Sequence, residues 1–187
     1  MPPRAGFSAV LLILASTCFG AEPCDSGPKP GQRPGPYSAL VSVGKDRGQL
    51  HCFICETEDR PAVIVFARKL SDPLGKLTRG VDRALADHKG AELRAWVTFL
   101  SDDQTALDPK VVDWSKKHAL RNVPLAVFED VVGPPSYLIA RDADVTVLLS
   151  VKQKVVRNFA FRAGELTDAR VAEILKALPQ ITKTDKK

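Results

Sequence analysis

The sequence predicts a single α/β domain of three layers around a mixed central sheet. Two observations carry that reading. Ala62–Ala67 (AVIVFA) and Leu93–Leu100 (LRAWVTFL) are short, dominantly apolar runs of the kind found in strands covered on both faces, and each precedes a stretch with helical character. Val145–Val151 and Val155–Phe161 then flank Lys152–Lys154 and read as a terminal β-hairpin, followed by a last helix. The strand–helix–strand crossovers give parallel neighbours, whereas the hairpin gives an antiparallel one.

The remaining elements follow in order. Arg4, the apolar run 7–15 and the small residues Cys18 and Gly20 before Ala21 read as a secretory signal over residues 1–20. The run is too short to span a bilayer. A periplasmic or secreted location follows, with membrane attachment only if the signal is retained. Residues 21–37 form a Pro/Gly-rich arm, because EPCDSGPKPGQRPGPY can build neither helix nor central strand. Ser38–Val43 is a short apolar run, 44–48 a polar turn, and 56–60 a charged connection before AVIVFA.

A helix over 73–89 sets Leu74, Leu77, Val81, Leu85 and His88 near one face, with Gly90 ending it. A shorter helix spans 109–120 with Pro109 in its first turn, and Val123–Phe128 is a further strand. Residues 136–141 suit a turn or two of helix. The last helix starts at Gly164 or Thr167, aligns Val171, Ile174, Leu175 and Leu178, and stops at Pro179. The domain therefore covers 38–178 and a flexible tail covers 179–187.

The formal charge of +5 falls to about +4 once Arg4 is removed, and its carriers are scattered. Lys116-Lys117, Lys152, Lys154 and the tail lysines 183, 186 and 187 suit a solvated face, not a nucleic-acid groove. A doubly wound nucleotide-binding fold calls for a Gly-rich turn after Phe66, and Arg68-Lys69-Leu70-Ser71-Asp72 stands there instead.

The chemistry concentrates in His51-Cys52-Phe53-Ile54-Cys55. Two cysteines three apart can exchange disulfides, staple a loop in a noncatalytic binding or accessory protein, or hold a soft metal ion such as Cu(I). His51 could lower the pKa of the Cys52 thiol if its ring turns that way. Cys52, Cys55 and His51 are thus the candidate catalytic residues, the more exposed cysteine being the attacking one, with Cys52 favoured by its histidine neighbour. Exported protein thiols or disulfides are the expected partners. A closed zinc site would need a fourth ligand from Cys24, His88 or His118, and no cofactor is expected. Cys24 leaves an odd cysteine count after export.

The order of elements over residues 38–178 resembles the thioredoxin-like fold, and most of all its peroxiredoxin/thiol-oxidoreductase branch. The resemblance implies a catalytic cysteine pair after the first central strand, at a helix N-terminus whose dipole favours a thiolate. Matching Phe66–Leu74 to that segment puts Ser71 and Leu74 where cysteines belong and Pro73 on the family proline. The usual catalytic cysteines are therefore expected to be missing. The family's cis-proline corresponds to Pro124 in the short arrangement and to Asp144-Val145-Thr146 in the longer one, which accommodates 130–144 better. Ser71 or Asp72 is expected to cap the helix, Trp96 and Trp114 to pack, and Arg68-Lys69 to form rim charge.

Overall fold

The computed structural model describes residues 22–183, so the signal read over 1–20 lies outside the described residues. Seven strands form one sheet. They are β1 (Ala39–Val43), β2 (Leu50–His51), β3 (Ala62–Ala67), β4 (Arg94–Leu100), β5 (Leu125–Phe128), β6 (Val145–Val151) and β7 (Lys154–Phe161). Their spatial order is β2-β1-β5-β4-β3-β6-β7. The strands β3, β4 and β5 are parallel, and every other pairing is antiparallel. This is the mixed sheet with a terminal hairpin that the sequence predicts.

Four helices connect and flank the strands: α1 (Asp72–Asp87), α2 (Gln104–Lys117), α3 (Asp168–Ala177) and α4 (Pro179–Thr182). Alternation along β3 shows how the layers divide. Val63, Val65 and Ala67 belong to a core with Leu74, Leu77 and Val81 of α1, Val111 and Trp114 of α2, and Ile174 of α3. Ala62, Ile64 and Phe66 face a second core with Tyr37, Trp96, Tyr137 and Ile139, to which none of the four α-helices contributes. The third layer is irregular chain: the arm, the cysteine loop and the segment between β5 and β6.

Several sequence expectations change on this scaffold. The helix expected from Pro109 begins five residues earlier, where the Asp103 carboxylate accepts from Ala106 N–H, so Pro109 lies inside α2. Local pattern missed this because the first turn carries little apolar signal. Residues 136–141 hold no α-helix, and a 3₁₀ turn covers Pro135–Tyr137 instead. Beyond Pro179 the chain forms α4, with Ile181 buried, where a flexible tail was expected. Pro fits the first turn of a new helix as readily as it ends an old one.

The arm is held rather than free. Gly31 N–H donates to the Val155 carbonyl at 2.8 Å and Val155 N–H donates to the Gln32 carbonyl at 2.9 Å, at the outer edge of β7. Asn158 Nδ2 donates to the carbonyls of Ser26 and Pro28, both at 2.8 Å, and Ser26 Oγ pairs with Thr146 Oγ1 at 2.7 Å. An arm that satisfies an edge strand hides backbone groups that would otherwise template aggregation.

Candidate functional site

The loop between β2 and β3 is wound into successive tight turns. Cys55 N–H donates to the Cys52 carbonyl at 3.2 Å, Thr57 N–H to Ile54 at 3.2 Å, and Arg60 N–H to Thr57 at 3.0 Å. Thr57 is buried and its hydroxyl donates to the Phe53 carbonyl at 2.9 Å. Phe53 lies stacked on Trp96, with ring centroids 5.6 Å apart. Trp96 in turn donates its indole N–H to Tyr37 Oη at 2.8 Å, and Tyr37 shares a hydrogen bond with Thr98. The loop is thereby anchored on the second core, not on the helical face.

Within it Cys52 and Cys55 form a disulfide, with Cα atoms 5.4 Å apart. This overturns the expectation that cysteines of the catalytic type are missing: a Cys-x-x-Cys pair is present and oxidised. The cysteine pair lies away from the N-terminus of α1, the position to which the family resemblance assigns it. The pair stands on the loop leading into β3, while Ser71 occupies the helix start, accepting from Leu74 N–H at 3.3 Å as a cap.

Cys55 is exposed and Cys52 is partly covered. The two grounds for choosing the attacking sulfur thus part company, exposure pointing to Cys55 and the histidine neighbour to Cys52. The His51 ring favours neither strongly. Its Nδ1 faces Asp46 Oδ2 and its Nε2 faces Glu56 Oε2, each at 3.5 Å, and the ring packs on Phe53. Cys55 borders a cleft of about 410 Å³ lined by the strap Arg33–Pro36, by Ile54, and by Glu58 and Gln153. A second cleft of about 480 Å³ lies on the His51 and Phe53 side and reaches Trp96, Arg94 and Arg121.

The start of α1 holds an arrangement that sequence spacing concealed. Asp72 Oδ1 lies 2.6 Å from Lys117 Nζ and 3.5 Å from His118 Nε2, although no pairing of His118 with Asp72 is discernible in the sequence. His118 packs on Trp114 and against Gly75, where a Cβ would come within 2.2 Å of its ring. Burial lowers the His118 pKa, partly offset by Asp72. Lys117 holds the Asp72 carboxyl below its usual value, first through a hydrogen bond.

Arg68 is not rim charge. Its Nε donates to Ala143 O at 2.8 Å, its Nη2 to Ala140 O at 2.9 Å and its Nη1 to Val131 O, so one guanidinium ties down the β5–β6 segment. Trp96 and Trp114 are buried, as expected of packing groups. Pro124 precedes β5, which runs parallel to β4, whereas Asp144 leads into β6 beside β3, as the longer arrangement requires. No peptide bond among the described residues is cis.

Cys24 stands alone on the arm, near Phe159 and Phe161, and burial raises its thiol pKa, with Asp142 adding to the effect. Among the described residues no three His, Cys, Asp or Glu side chains are grouped to hold a metal ion. Nor is any described helix long and apolar enough to cross a membrane.

Sheet order, crossovers and terminal hairpin define a thioredoxin-like α/β fold, and known structures share it. A candidate protein disulfide isomerase from Bacteroides thetaiotaomicron superposes with a TM-score of 0.64 at 13% identity, covering 85% of this chain and 94% of its own. A peroxidoxin from Mycobacterium tuberculosis gives 0.57 at 15% identity, covering 83% and 99%. A secreted thiol-disulfide isomerase from Corynebacterium glutamicum gives 0.57 at 13%, covering 81% and 86%. Likeness at such low identity shows the fold. No protein-family model matches the sequence, and no curated protein does.

Proposed function

We propose that the protein exchanges thiols and disulfides with other proteins through Cys52 and Cys55. The observation that carries this reading is an oxidised Cys-x-x-Cys pair whose Cys55 sulfur belongs to an exposed residue beside a cleft. In the forward direction a substrate thiolate attacks Cys55 Sγ, the Cys52–Cys55 bond breaks, and Cys52 leaves as a thiolate. A second thiolate of the substrate then attacks the substrate sulfur of the mixed disulfide, releasing Cys55. The products are a substrate disulfide and the reduced pair, two electrons having passed to the protein. Run in reverse, the reduced pair opens a substrate disulfide. His51 would serve as a positioning residue, its ring held between the carboxylates of Asp46 and Glu56.

An exported location fits this chemistry, because disulfides persist in oxidising compartments. Similarity to proteins described as disulfide isomerases supports the same reading. The test is reduction of insulin by dithiothreitol with catalytic protein, comparing wild type with the Cys52→Ser/Cys55→Ser variant. Wild type should accelerate the reaction several-fold and the variant should not. Equal rates would overturn the proposal and leave the disulfide as a loop staple.

A further inference from the structure

We infer that the cleft beside Cys55 recognises an extended polypeptide segment bearing an acidic side chain near its cysteine, in preference to a small thiol. This rests on the exchange reading above. The strap Arg33–Pro36 forms one part of the lining, and its chemistry is that of a rigid template. Pro34 and Pro36 fix their backbone angles and carry no N–H. Pro34 is buried, and Gly35 presses so closely on the 3₁₀ turn that a Cβ would come within 2.4 Å of Ser136 Oγ. The preceding residues are pinned to Val155 by two backbone hydrogen bonds.

The strap is therefore preformed, and little ordering entropy remains to oppose binding. Its four carbonyls take part in no hydrogen bond among the described residues. An extended peptide laid along the strap can donate its own N–H groups to those carbonyls that face it, as an added strand does. Ile54 supplies apolar contact beside the sulfur. Charge selects the sequence. Arg33 is exposed and makes no ion pair among the described residues, whereas Glu58 is already balanced by Arg60 at 3.6 Å. The free cation on the lining is Arg33, so a substrate carboxylate gains and a substrate ammonium loses.

The experiment mixes oxidised full-length protein with three thiols in turn: an eight-residue peptide with one cysteine and two aspartates, the same peptide with two lysines, and free cysteine. Mixed-disulfide formation is followed by mass spectrometry at low ionic strength. The acidic peptide should react at least tenfold faster than the other two, and the Arg33→Glu variant should favour the basic peptide. Added salt should shrink the difference between the peptides. Equal rates for all three thiols, or a preference that Arg33→Glu leaves unchanged, overturn the cleft assignment while the exchange reading stands. If none of the three reacts, the exchange reading fails and takes this inference with it.

Discussion

Asp82 shows how one side chain can organise a connection far from it in sequence. Its Oδ1 accepts from the N–H groups of Arg121, Asn122 and Val123 at 3.0, 2.6 and 2.9 Å, which bind the start of the β5 approach to α1. Burial alone would raise its pKa, but the N–H donors of Asn122, Val123 and Arg121 outweigh it and hold the carboxyl below its ordinary value. A depressed native pKa means that the stabilisation is complete above the unfolded-state value and is lost as pH falls through the native one. Urea unfolding should therefore show stability declining on acidification below about pH 4. Asp82→Asn should lower stability at neutral pH by about 1–2 kcal/mol and decline less steeply in acid. A variant with an unaltered acid limb would refute this account. The same logic of close packing explains Gly75, whose missing side chain gives His118 its place.

At the scale of elements, the disulfide loop combines a weak staple with firm anchorage. Closing a ring of four residues removes little freedom from the unfolded chain, so the bond itself should contribute only about 2 kcal/mol. The loop has other supports: Phe53 on Trp96, the buried Thr57, and the successive turns. Cys52→Ser/Cys55→Ser should accordingly remain folded, losing about 2 kcal/mol in denaturant titration with its near-ultraviolet spectrum retained. Loss of the native spectrum would assign the bond to folding. The hairpin is as local in origin: Lys152 and Gln153 both take the left-handed conformation, at φ of 51° and 58°, which matches the twist of β6 and β7.

Across the whole molecule, the sheet has helices on one face and irregular chain on the other, and the arm closes that second layer. Asn158 holds it through two carbonyls. Asn158→Ala should lower stability by about 1–3 kcal/mol and admit proteolytic cleavage within residues 22–36, mapped by mass spectrometry. If the arm stayed protected, its docking would owe little to Asn158. The strap beside Cys55 belongs to this arm, so stability and the proposed site share one piece of chain.

The central strands and the terminal hairpin were legible from the sequence because their signals are local, whereas the two-residue β2 and its pairing with β1 were not. AVIVFA spans the whole of β3, and the hairpin and the Thr167-capped α3 stand within about a residue of their expected places. Cys52 and Cys55 were legible too, since three residues of separation bring two sulfurs together with little help from the rest of the fold. What the sequence by itself determined was thus the alternation of strands and helices and the possibility of that bond. Tertiary structure alone decided which cysteine is exposed, that Arg68 grips distant carbonyls, that His118 meets Asp72, and that a proline-rich arm lies beside the disulfide. Those contacts join residues tens of positions apart, and no local periodicity encodes them; they arise when burial of the two sheet faces forces the connecting chain into place.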